Sequence, residues 1–161
     1  MPSLEDLILK ELESTKTDLI KQYETLGLKA SGQYADSLEV YMETKDNNIV
    51  AGIKAADYVE YMELGRRPNK RQDRGMIAFM YVKILEWMKV KGVTGINPWM
   101  AARKIVTEGI TVPNKHNAGG VLSGVINEDW MDRIQKSVID YQNETIMTSV
   151  VASFKSETIN V

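Results

Sequence analysis

The stretch LEVYMETKDNNIVAGI, residues 38–53, decides the fold class. Leu38, Val40 and Met42 alternate with Glu39, Tyr41 and Glu43, the period of two that sends successive side chains to opposite faces of a strand. Lys45, Asp46, Asn47 and Asn48 supply turn chemistry, and Ile49, Ala51 and Ile53 then line one face of a second run. The pattern predicts a β-hairpin. The strongest patterns on either side of it are helical. The expected fold is therefore α+β, with a long N-terminal helix and a small antiparallel sheet, based on the hairpin, packed against several helices.

Upstream, Leu4, Leu7, Ile8, Leu12, Leu19, Ile20, Tyr23 and Leu26 recur near helical spacing. Ser3 and Asp6 resemble a capping box and Gly27 is a stop, so one helix is expected over about residues 4–26, weakened around Ser14 and Thr15. It reads equally as a core helix or as an N-terminal arm (1–30) toward a partner. ASGQYADS is a small-residue link.

Downstream, Asp57 followed by Glu60 resembles a capping box opening a short helix, YVEYMEL, which Gly65 ends. Met76, Ile77, Met80, Tyr81, Ile84, Leu85 and Met88 form the clearest helical stripe, with Lys89 and Lys91 in the last turn and Gly92 as its stop. Asn97 and Pro98 are the N-cap and first residue of another helix, WMAARKIVTE, stopped by Gly109. TVPNKHNAGG is a loop. Asn127 caps a helix carrying Trp130, Ile134, Val138 and Tyr141, while the C-terminal segment 144–161 opens with a β-branched run that fits strand or helix alike. With no repeat, low-complexity tract or linker, residues 1–161 read as one α+β domain.

Composition narrows the function classes. The 161 residues are 43% hydrophobic and 26% charged, ordinary globular usage, and the net charge of −2 is unlike that of a dedicated duplex binder. Cysteine is absent, which removes disulfide scaffolds, thiolate metal sites and thiol nucleophiles. Acidic residues stand near the N-terminus where a signal peptide needs a basic flank, and no stretch approaches the ~20 apolar residues of a membrane span. A soluble product made in the cytoplasm is expected, with no membrane partner.

The candidate chemistry is thin. His116 is the only histidine and lies in a Gly/Asn loop, without the ligands a metal site needs. Glu60 and Glu63 share a helix face, but a catalytic carboxylate pair must flank a cleft; a solvated face or nearby arginines explain them better. Gly119–Gly120 and the Gly92/Gly95 pair lack the strand–glycines–helix context of phosphate-cradling loops. Trp87, Trp99 and Trp130 sit on helix patterns as core or interface residues, and three of the nine methionines join the stripe from Met76 to Met88. No catalytic residue, cofactor or metal ligand is assigned.

The exception is MELGRRPNKRQDRG, residues 62–75. Arg66, Arg67, Lys70, Arg71 and Arg74, offset by Asp73, concentrate positive charge in an extended loop (64–75) that also holds Pro68. It reads as a solvated loop, as a phosphate-contacting loop, or as a subunit contact facing acidic residues such as Glu39 and Glu43.

The order of these features resembles that of the tail-completion, or head–tail joining, minor proteins of tailed bacteriophages. In that family a Tyr-Ala/Val…Glu-x-Gly segment precedes a proline-containing loop; a Trp…Lys-Gly helix end and an Ala-rich helix ending in Gly follow. The matching residues are Tyr58, Val59, Glu60, Tyr61, Glu63, Gly65 and Pro68, then Trp87, Lys91, Gly92, Ala101, Ala102, Ile105 and Gly109. The resemblance spans about residues 30–112. The 69–76 segment carries fewer prolines than is usual there, and nothing after Gly120 matches.

The resemblance implies a non-enzymatic structural protein of the virion neck, present as a homo-oligomeric ring. It implies contacts with other neck, portal-adaptor and tail proteins, and DNA passing through the lumen. Arg66, Arg67, Pro68, Lys70, Arg71 and Arg74 would then face a neighbouring subunit or the packaged DNA.

Overall fold

The computed structural model describes residues 3–46 and 48–158, with side chains to Ser153. Among these are six helices and one two-stranded antiparallel sheet, so the α+β expectation holds. The elements run α1 (Leu4–Thr25), α2 (Gln33–Ser37), β1 (Glu39–Lys45), β2 (Asn48–Lys54), α3 (Tyr58–Leu64), α4 (Arg74–Lys91), α5 (Pro98–Glu108) and α6 (Glu128–Thr158).

The hairpin pairs from Glu39 opposite Lys54 to Lys45 opposite Asn48. In this register Val40 faces Ile53 and Met42 faces Ala51, joining the two apolar sets read from the alternation into one half-buried face against α1. On the other face the Tyr41 ring lies across Gly52, with the Lys54 ammonium 4.8 Å from its centroid. Asp46 takes the positive φ of the tight turn, at 51°. Asn47, the remaining turn residue, lies outside the described residues.

Helix α1 starts with a full capping box: the Ser3 hydroxyl accepts from Asp6 N–H, and the Asp6 carboxylate accepts from Ser3 N–H. The helix is unbroken at Ser14 and Thr15, because Thr15 is fully buried under α6. Its hydroxyl donates to Glu11 C=O and accepts from Trp130 Nε1–H, both at 2.8 Å. Leu19 and Tyr23 enter the main core with Tyr34, Leu38, Val59 and Val121. Of the two readings left open for α1, its C-terminal half takes the core one.

The small-residue link contains α2, which seats the completely buried Tyr34 ring 4.4 Å from that of Tyr23. No periodicity marks a five-residue helix. Asp57 does not cap α3 as expected: its backbone is already helical (φ −54°, ψ −28°), so its carboxylate cannot reach the first free N–H groups.

Helices α4 and α5 form a hairpin around a second core of Met80, Ala102 and Val106. Asn97 accepts from Trp99 and Met100 N–H and Gly92 ends α4 in the left-handed region, both as expected, while Asp73, read in sequence only as a charge within the basic segment, caps α4 by accepting from Met76 N–H. Leu85, placed on the stripe by spacing, is instead exposed, as are Phe79, Val82, Trp87 and Val90. The undecided segment 144–155 continues α6. Its Thr and Ser hydroxyls at 145, 148, 149 and 153 each donate to the carbonyl four residues back.

Candidate assembly surface and basic turn

The basic segment is tied down at both ends. Arg66 and Ile110 exchange both backbone N–H···O bonds at 2.7 Å, and Asn69 N–H donates to Val106 C=O at 2.9 Å. Two glycines permit this approach. Gly65 (φ 81°, ψ −172°) and Gly109 (φ 81°, ψ −160°) occupy backbone regions that side chains avoid. A Cβ on Gly65 would lie 2.2 Å from Ile110 O, and one on Gly109 2.1 Å from Arg66 O. Both glycines read in sequence as helix stops; their second role, closing two distant segments face to face, has no local signature.

The six singled-out residues therefore divide. Arg66 is half-buried, and its guanidinium donates to Asn69 Oδ1 at 2.7 Å and to Met80 Sδ at 3.7 Å, fastening the turn to α4. Arg71 pairs with Asp73, which also caps α4; the guanidinium and then Met76 N–H hold the Asp73 carboxyl below its usual range. Arg74 belongs to the first turn of α4 rather than to the loop. Arg67, Pro68, Lys70 and Arg74 are exposed, and the three cations among them make no ion pair within the described residues. Beside the turn lies an open cleft of about 680 Å³, lined by Tyr61, Leu64, Arg67, Pro68 and Ile110 among others.

The two glutamates of α3 also part ways. Glu60 is exposed. Glu63 accepts from Leu122 N–H at 2.9 Å, from Ser123 N–H at 3.3 Å and from the Ser123 hydroxyl, stapling the 121–126 turn to α3. Burial pushes its carboxyl up, but these hydrogen bonds together outweigh burial and hold it below the usual range. It acts as a clasp. His116 is exposed, and the carbonyl and side-chain amide of the loop around it are occupied by the Asn114–Asn117 turn. Among the described residues no group of three or more His, Asp and Glu is placed to hold a metal, and no helix is long and apolar enough to cross a membrane.

What sequence reading missed is the quantity of apolar surface left outside. Ten hydrophobic side chains are buried among the described residues, whereas 21 large ones are exposed. They concentrate on α4 and α6. On α4, Phe79, Val82 and Val90 (50–59% exposed) follow helical spacing on the side opposite Met80 and Ile84. On α6, every side chain from Gln142 to Ser153 is exposed, and Ile139, Ile146, Met147, Val150 and Val151 share one face. Residues 144–155 fit strand or helix alike by composition, so that face went unmarked in sequence.

No protein-family model, curated protein or solved structure matches the chain.

Proposed function

We propose that this chain is a structural subunit of the neck of a tailed phage, copies of which form a homo-oligomeric ring joining the capsid connector to the tail while DNA passes through. One observation carries the reading. The chain exposes 11664 Å², where a compact monomer of its 18.2 kDa exposes about 8,100 Å². The excess comes with apolar residues aligned on α4 and α6, so association is what this surface is built for. A contact between two different patches that closes by rotation makes a ring. The family resemblance over about residues 30–112 supplies the kind of ring, and the hairpin, the short helix, the glycine-closed basic turn and the α4–α5 hairpin follow its order of features.

The net charge of −2 suits a DNA conduit, since strong affinity for phosphate would hold the passing genome. The test is quantitative mass spectrometry of purified phage particles made from a genome carrying this gene. Peptides of the chain at a fixed multiple per particle are expected. Their absence from complete particles overturns the reading.

A second reading rests on three exposed cations, Arg67 and Lys70 on the basic turn and Arg74 at the start of α4: nucleic-acid binding by an accessory protein. Duplex binding by the purified protein would then weaken steeply with salt. Replacing the three by glutamine would lower the slope of log K against log salt by about 2–3.

A further inference from the structure

The chain folds around two cores that share no residue. Leu19, Tyr23, Tyr34, Leu38, Val59 and Val121 form one; Met80, Ala102 and Val106 form the other, entirely between α4 and α5. The half-buried side chains packed on each, such as Met62 and Leu122 on the first and Tyr81 and Ile84 on the second, also belong to one core alone. The chain passes between the two parts twice, at Gly65–Arg66 and at Ile110–Thr111. The Arg66–Ile110 bridge brings these crossings side by side.

The basic turn lies on the α4–α5 side of the crossings. Arg66 donates to Met80 Sδ, Asn69 N–H donates to Val106 C=O, and Asp73 caps α4, so the turn is fixed to the base of that hairpin. On the other side Gly65 leads out of α3 at φ 81°, ψ −172°, and Thr111 N–H makes no hydrogen bond among the described residues. At the far end of the hairpin, Lys91 Nζ donates to Gly27 C=O at 2.9 Å. That carbonyl lies just past the C-terminus of α1, where the helix dipole favours a cation. Among the described residues this is the only hydrogen bond or ion pair from residues 66–110 to the rest of the chain.

We infer that residues 66–110 are one rigid body that swings on the crossings at Gly65 and Thr111, held at its far end by the Lys91–Gly27 latch. Hinges are a few element-terminal residues that absorb the change in φ and ψ, and Gly65 has that freedom. Helix α4 has 18 residues and is about 27 Å long, so a swing of about 15° carries the latch end about 7 Å. The cleft of about 680 Å³ lies across the joint, with Tyr61 and Leu64 of α3 on one side and Arg67 and Pro68 on the other. The swing changes the width of this cleft and re-aims Arg67, Lys70 and Arg74 together. A lone exposed ammonium–carbonyl bond is a weak latch, biasing the closed state by about twofold to fivefold.

The lack of any cysteine makes the test clean. Spin labels on the full chain are placed at exposed side chains in three pairs, and double electron–electron resonance measures each distance distribution. Ser14→Cys with Met100→Cys spans the joint. Ser14→Cys with Glu60→Cys lies within the body, and Lys70→Cys with Met100→Cys lies within residues 66–110. The spanning pair is expected to spread over about 7 Å more than either reference. Lys91→Met keeps the aliphatic stem and removes the ammonium. It should raise the open population about twofold to fivefold, with both references and the circular dichroism unchanged.

A spanning distribution as narrow as the references, unmoved by Lys91→Met, overturns the proposal: the two cores are then one rigid body. A Lys70/Met100 pair as broad as the spanning pair overturns it as well, because the motion then lies inside residues 66–110. A broad spanning pair that Lys91→Met leaves unchanged overturns the assignment of Lys91 as the latch. In every case the ring reading stands or falls separately, on the particle measurement.

Discussion

Helix α6 is held to the body by α1, and the contact turns on one hydrogen bond. Thr15 is completely buried, and its hydroxyl accepts from Trp130 Nε1–H at 2.8 Å while donating to Glu11 C=O. Thr15→Val keeps the volume and the β-branch but removes the acceptor. The Glu11 carbonyl keeps its helical partner, so little is lost there; the indole N–H is left facing a methyl group. An unsatisfied donor costs about 1–3 kcal/mol, and the half-buried indole places the expected loss toward the lower part of that range, about 1–2 kcal/mol. In a chain of this length that is a fall of roughly 2–8 °C in Tm.

The converse change, Trp130→Phe, leaves Thr15 still donating to Glu11, so it forfeits packing area and a bond but creates no buried orphan. In Thr15→Val/Trp130→Phe neither partner is left unsatisfied. The double variant should therefore be less destabilised than the two single changes added together, by about 1 kcal/mol. Urea unfolding followed by far-ultraviolet circular dichroism at 222 nm, the helix band, measures all four proteins. Additive losses would show that the 2.8 Å contact contributes no coupling, and the account of how α6 is oriented would fall with it.

Three further outcomes follow from the same geometry. Gly109→Ala and Gly65→Ala should each cost about 3 kcal/mol or more in urea unfolding, because strain and a backbone clash add, whereas Gly95→Ala, with nothing within 4 Å, should cost about 1 kcal/mol. Glu63→Gln should lose about 1–3 kcal/mol at neutral pH. Because the Glu63 carboxyl sits below its ordinary value in the fold, its stabilisation is full above about pH 4.5 and declines as pH falls through the lowered value, so wild type and variant should converge in acid. Tyr34 has a buried hydroxyl with no partner, and burial pushes it up to about 12. Tyr34→Phe should leave stability equal or higher by up to about 1 kcal/mol; wild type should lose stability between about pH 10 and 12, where the unfolded tyrosine ionises first, and the variant should lose less.

Much of the architecture is local in origin, and that part was legible. The period of two across residues 38–53, the Ser3–Asp6 box, Asn97 with Pro98, and Gly92 each act within a few residues. Their hydrogen bonds and backbone preferences are the same in almost any tertiary setting. Local signals failed where tertiary partners set the outcome. Tyr34 stands in an unpatterned link and is buried only because α1 supplies the Tyr23 ring. Asp57 has cap chemistry but helical backbone angles. The β-branched run after Glu144 fits either secondary structure by composition; it continues the helix that begins at Glu128, and among the described residues the sheet has two strands.

The candidate surface divides along the same line. Composition and order alone marked the basic turn as the place where charge gathers, excluded thiol chemistry, and supported the family resemblance. They could not separate Arg66, which fastens the turn inward to Asn69 and Met80, from Arg67, Lys70 and Arg74, which face solvent. Nor could they show that Gly65 and Gly109 close two segments 44 residues apart through the Arg66–Ile110 bridge. A stripe of apolar residues records that a helix has a face to bury; it does not record whether this chain or another copy buries it. That depends on where the remaining helices stand, and only the tertiary structure leaves Phe79, Val82 and Ile146 uncovered.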